Sequence, residues 1–144
     1  MPSPFENLAG PGKPLKVEPA DAQEFIGLKR SGHARLKDAS NTSLSLEGRF
    51  DLAYNAAHAF CLAALRWHGY RPSHRYIVFQ LLPHTLGLGP QVWRLLAKCH
   101  EMRNQWEYEG DLNIDPRLVT DLVQACKAVA AGVDALGPLA DPPA

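Results

Sequence analysis

Between residues 21 and 137 the apolar positions recur at intervals of three and four, the period of an amphipathic helix, and no stretch sustains the two-residue alternation of a half-buried strand. The first run, DAQEFIGLKRSGHARLKDAS over residues 21–40, predicts a helix in which Gly32 is a break or bend, or two short helices, because glycine costs about 1 kcal/mol in a helix interior. In SLEGRFDLAYNAAHAFCLAALRWHG, Ser45 is the N-cap candidate, Glu47 stands in the first turn where the helix dipole favours an anion, and Gly69 is the stop. Phe50, Ala53, Tyr54, Ala57, Phe60, Cys61, Ala64 and Trp67 form its apolar arc, and Leu52, Ala59 and Leu62 widen it. A helix apolar over so much of its circumference is either central in a bundle or covered by a partner.

After the turn GYRPS, Ser73 is placed to cap HRYIVFQLLPHTLG, a helix that stops or kinks at Pro83; its β-branched Ile77 and Val78 also suit a strand. Pro90 opens PQVWRLLAKCHEMRNQWEYEG, closed by Gly110, and Asp115-Pro116 is a cap and first-turn proline for the last helix, ended by Gly137-Pro138. Helices joined by short links predict an all-α fold, an antiparallel up-and-down bundle of four to five helices. Residues 21–137 then form one domain, between a Pro-rich flexible arm (residues 1–20) and a flexible tail (residues 138–144).

With 144 residues the chain has room for a core without disulfides or structural metal. Fifteen basic and fifteen acidic side chains cancel, so no overall field draws it to nucleic acid or an anionic membrane, although a neutral total leaves room for a local basic patch. The N-terminal residues lack the basic start, apolar run and cleavage site of a secretory signal, and no apolar run approaches the ~20 residues of a membrane span, which predicts a cytoplasmic protein with no membrane partner. Cys61, Cys99 and Cys126 sit among apolar neighbours as small buried thiols. The six histidines include no i, i+4 pair and no HExxH, so neither a metal site nor a cofactor is implied.

The penultimate helix carries the candidate chemistry. Val92, Leu95, Leu96, Cys99, Met102 and Trp106 share one face, and His100, Asn104 and Tyr108 stack at i, i+4 spacing on another. Arg103 falls on the border, where its stem packs on the core and its planar, always-charged guanidinium is placed to clamp a phosphate or to pair with a carboxylate such as Glu107. Tyr54 and His58, one turn apart at the edge of the central arc, are placed to face this helix.

The segments RFDLAYNAAHAFCLAALRWHGYRPS and RNQWEYEGDLNIDPRLVTDLVQACKAVAAGV, with a helix between them, resemble the HEPN superfamily of small helical bundles, over residues 34–136. That resemblance implies a homodimer, a shared cleft formed by an arginine, a polar residue and a histidine further along the same helix, metal-independent ribonuclease activity in active members, and in many a nucleotidyltransferase-type partner. Arg103 and Asn104 match the first half of the motif, but Tyr108 stands where the histidine falls, after four intervening residues, and no histidine follows His100. A tyrosine, with a pKa of about 10, is a poor proton acceptor near neutrality, whereas a histidine, at about 6.5, serves both ways. Three readings follow: a dimeric HEPN-like protein, non-catalytic or weakly catalytic, that binds RNA, a nucleotide or a partner protein through Arg103, Asn104 and Tyr108; a toxin-like endoribonuclease in which Arg103 works with Tyr108, His58 or His100 as catalytic residues; and a helical interaction module in which Arg103 is structural.

Overall fold

The computed structural model describes residues 3–109 and 113–139, with the backbone alone for residues 107–109. Among these, four long helices make the body: α2 (Ala22–Ala39), α3 (Leu46–Trp67), α6 (Pro90–Glu109) and α7 (Pro116–Ala135). Three short helices, α1 (Pro4–Leu8), α4 (Tyr76–Gln80) and α5 (Leu82–Thr85), and a two-stranded antiparallel sheet of β1 (Leu15–Val17) and β2 (Tyr70–Pro72) surround it. The fold is all-α as predicted, and no described helix is long and apolar enough to cross a membrane.

The helix boundaries follow the capping chemistry. Asp21 accepts from the backbone N–H groups of Gln23 and Glu24, Ser45 from Gly48 and Asp115 from Arg117, so orphan donors at three helix starts are satisfied by short polar side chains. Pro116 and Pro90 open their helices, where a missing N–H costs nothing. Gly69 takes φ +90° just beyond α3, a conformation that strains any residue with a Cβ. The expected stop at Gly110 lies outside the described residues.

Contacts fix the bundle's direction. The Arg49 side chain donates to the Ala39 carbonyl, Phe60 lies over Gly32, and Arg66 meets Glu24, so positions rise along α3 as they fall along α2. The pairs Asp51–Arg103 and Tyr54–His100 set α6 antiparallel to α3 in the same way. Lys29 and His33 of α2 reach Asp134 of α7 at 3.3 and 3.2 Å. Twelve of the 22 residues of α3 are buried, six of them alanines, which places α3 at the centre and lets its neighbours approach closely. Its wide apolar arc is therefore covered within the chain and supplies no case for a second copy.

Gly32 is not a break: α2 runs through it unbroken. A Cβ built there would stand 2.8 Å from the ring of Phe60, which is fully buried, so the glycine marks the point where α2 lies closest to α3. Gly32→Ala is expected to destabilise the protein by about 1–3 kcal/mol, the range for overpacking a filled core, despite alanine's better helix propensity. Urea unfolding monitored by circular dichroism checks this, and an unchanged or raised midpoint would show that Phe60 moves aside without cost.

Part of the proline-rich stretch takes up regular structure. Ser3 and Glu6 form a reciprocal capping box with Pro4 in the first turn of α1, and Phe5 inserts among His68, Tyr70 and His84 at ring separations of 5.1, 5.2 and 6.4 Å. Leu15 is buried and β1 pairs with β2 in the register Leu15–Pro72, Lys16–Arg71, Val17–Tyr70. The helix expected after Ser73 stops before Pro83, as α4, and a second short helix, α5, follows from Leu81 with Pro83 in its first turn. Ser73 does not cap it, since Arg75 stands at the cap position without a side-chain hydrogen bond, and Ile77 and Val78 are helical.

Candidate functional site

One edge of α3 faces α6 and the turn between β2 and α4. From α3 come Asp51, Tyr54, Asn55 and His58, from α6 come His100, Arg103 and Asn104, and from the turn and α4 come Ser73, His74, Arg75, Tyr76 and Phe79. Arg103 Nε donates to Asp51 Oδ1 at 3.0 Å, and its guanidinium carbon lies 5.4 Å from the Tyr54 ring centroid, within cation–π range. The pairing expected with Glu107 is thus joined or replaced by one across the helix interface, to Asp51; the side chains of Glu107 and Tyr108 lie outside the described residues.

The expected ladder on α6 is present as far as it is described. Asn104 Nδ2 lies 3.2 Å from His100 Nε2, and the Tyr54 hydroxyl lies 2.8 Å from His100 Nδ1. With the Asn104 amide as placed, Nδ2 donates to an unprotonated Nε2, so the ring proton sits on Nδ1 and donates to the Tyr54 oxygen. Both ring nitrogens are then satisfied only in the neutral imidazole. Phe79 ties the aromatic groups together, with ring centroids 5.9 Å from Tyr54, 6.1 Å from His58 and 6.0 Å from His100, and Tyr76 covers His100 at 5.4 Å.

Both histidines are held neutral. Burial, then the Arg75 charge and His100, push His58 down to about 4. His100 is lowered by burial first, then by Arg75, His74 and Arg103, with Glu101 opposing. By contrast, Cys99 and Cys126 are pushed up to about 12 by burial, and Cys61 is raised by burial and by Cys126, so all three thiols are inert core groups as expected. No cluster of three or more potential metal ligands occurs among the described residues.

The turn residues Ser73, His74 and Arg75 do not stand out at helical spacing, and their signal is a different one. Residues 52–100 contain five Lys or Arg and five His but no Asp or Glu, so a neutral chain carries a long acid-free segment. Two of those charges are compensated from outside it: Arg66 and Arg71 share the carboxylates of Glu18 and Glu24. Among the described residues no side-chain hydrogen bond or ion pair engages Arg75, His74 or His58. These three, with Leu62 and the Arg71–Ser73 segment, line a pocket of about 230 Å³.

A larger groove of about 540 Å³ lies on the other side of Arg71–Ser73, walled by Ala9, Pro11, Leu15 and Val17. Its only charged lining groups are Lys13, Lys16 and Arg71, and none of the residues expected to carry chemistry reaches it. The polar groups expected to carry chemistry thus converge away from the larger groove. No protein-family model, curated protein or solved structure matches the chain.

Proposed function

We propose that this chain is a HEPN-like helical bundle that binds a phosphate-bearing ligand, RNA or a nucleotide, at the face between α3 and α6, as a homodimer and without efficient turnover. The observation that carries the reading is the contiguity of Arg103, His100 and Asn104 on a part-exposed surface, over the buried ring of Tyr54 and beside the acid-free turn. Guanidinium and carboxamide donors are what phosphate oxygens require, and the rings of Tyr76 and His100 offer a base something to stack on. The resemblance in the two motif helices supports the HEPN assignment and is the sole ground for the dimer and for a nucleotidyltransferase-type partner. Weak turnover follows from the chemistry: Tyr108 is a poor base, and His100, held neutral and satisfied at both nitrogens, is not an imidazolium ready to protonate a leaving group at pH 7.

The Arg103–Asp51 pair favours a second reading, in which Arg103 is a structural clamp between α3 and α6 and the protein is an interaction module. Anisotropy of a labelled single-stranded RNA, in EDTA and at low salt, separates the readings. The expected result is saturable binding of intact RNA that Arg103→Ala weakens ~10-fold or more, as loss of a charge-assisted hydrogen bond worth ~1.5–3 kcal/mol implies, with the helical circular dichroism retained. A fall in thermal stability with no change in RNA or ATP binding would establish the clamp instead. Shortened RNA in EDTA, lost in Arg103→Ala, would make the protein a ribonuclease, and sedimentation as a monomer at micromolar concentration would remove the dimer.

A further inference from the structure

The pocket beside His58 has an electrostatic property that folding alone does not explain. His58, His74 and Arg75 line it, and Arg75 and His100 both act repulsively on His58. Arg75 and His74 act in the same sense on His100, together with Arg103, and only Glu101 opposes them. Arg71, the remaining cation in the wall, is neutralised by Glu18 and Glu24 at 2.6 Å each, so it shapes the pocket without attracting a ligand strongly. Arg75, a guanidinium with no carboxylate partner among the described residues, stands beside imidazoles whose protonation it opposes, and a bound anion would both pair with it and lift that opposition.

We propose that the pocket formed by His58, Ser73, His74 and Arg75 is a binding site for a phosphate monoester, the terminal phosphate of the ligand that the α3–α6 face holds. This rests on the reading of that face as a phosphate-ligand surface and adds where the end of the ligand is anchored. The chemistry fits a monoester better than a bridging diester. A monoester carries a charge of about −1.5 to −2 near pH 7 and three strong acceptor oxygens, and a guanidinium fork, two imidazoles and a hydroxyl supply donors from several directions. The pocket, at about 230 Å³, is smaller than the ~300–1,000 Å³ of sites that enclose a drug-sized molecule, so it suits a phosphate group rather than a whole nucleotide. The neighbouring α6 residues, whose His100 shares the Arg75 field, are then in place for the next sugar or base.

The test follows histidine ring resonances by NMR in a pH titration of the full chain, assigned with single His→Gln variants, with and without inorganic phosphate. The expected result is that phosphate raises the apparent pKa of His58 by about one unit or more, since a bound anion offsets the Arg75 repulsion. In Arg75→Ala, the His58 value rises without phosphate and no longer responds to it. Two further arms identify the source: RNA with a 5′-phosphate is expected to bind ~10-fold tighter than the same RNA with a 5′-hydroxyl, a preference worth ~1.4 kcal/mol that Arg75→Ala abolishes. Histidine resonances unmoved by phosphate in a folded protein would overturn the site. A phosphate response without RNA binding would sustain the pocket while refuting the RNA reading of the face, and equal affinity for the two RNAs would overturn the assignment of the pocket to an RNA end.

Discussion

Arg66→Ala is expected to lower the free energy of unfolding by about 3 kcal/mol, the upper end of the cost of leaving a buried polar group unsatisfied. Arg66 is 2 % exposed, and its guanidinium meets Glu24 at 2.5 Å, the Glu18 and Pro19 carbonyls at 2.8 Å, and the Tyr70 carbonyl at 3.3 Å. It joins the end of α3 to the start of α2, to β2 and to the segment that leads out of β1. Burial alone would raise the Glu24 carboxyl, yet hydrogen bonds from Arg71 and Arg66 hold it below the usual carboxylate value. Removing Arg66 leaves three carbonyls without their guanidinium donor and leaves Glu18 and Glu24 to Arg71 alone. Arg66→Met keeps the stem and tests the charge, and adding Glu24→Gln to it is expected to recover part of the loss, which urea unfolding of the four proteins measures as a coupling energy. A loss below about 1 kcal/mol for both single variants would show the network to be hydrated and dispensable.

Acid is expected to destabilise the protein through His58, by about 3 kcal/mol if the full shift is realised, at ~1.36 kcal/mol per pH unit. The sign follows from its position near 4 in the folded chain against 6.5 ordinarily. Above about pH 6.5 the imidazole is neutral in both states and contributes no pH dependence. Between 6.5 and about 4 the unfolded chain binds a proton that the folded chain refuses, so stability falls as pH falls. His100, lowered in the same direction, adds to the effect. Carboxylates titrate in the lower part of this window, so the informative quantity is the difference between the wild type and His58→Gln, measured by urea unfolding at neutral and acid pH in acetate or MES rather than phosphate. The variant is expected to show a visibly flatter decline; equal declines would mean that His58 is hydrated and protonates freely in the native state.

The body of the fold was legible because its signals are local. Ser45, Asp115, Pro90 and Gly69 act within one turn of where they stand, and the period of apolar positions reports α3's buried face directly. Gly32 is ambiguous in the sequence because a glycine in a helix has two meanings, a break or a close approach, and only the position of Phe60 decides between them. The N-terminal stretch hid a readable device: Ser3, Pro4 and Glu6 are a capping signature, masked by a composition rich in proline. On the site, the His100–Asn104 contact follows from i, i+4 spacing, and the edge of α3 that carries Tyr54 and His58 followed from the helical wheel. Asp51, 52 positions from Arg103, leaves no trace in spacing. Arg75 and His74 are hidden by a net charge of zero, because the acids are excluded from one long segment of the chain.

The register of α2 against α3 also has a kinetic side. A short link brings these two helices together, so their contacts close small loops and form early at low entropic cost. The bonds from Arg66 to Glu18 and Pro19 span 48 and 47 positions and clamp a segment that contributes little helix of its own. Their loops are rewarded only once the hairpin stands. The N-terminal segment is therefore expected to dock last and leave first, and the loss caused by Arg66→Ala is expected to fall on the unfolding rate rather than on the rate of folding, which stopped-flow chevrons in urea check.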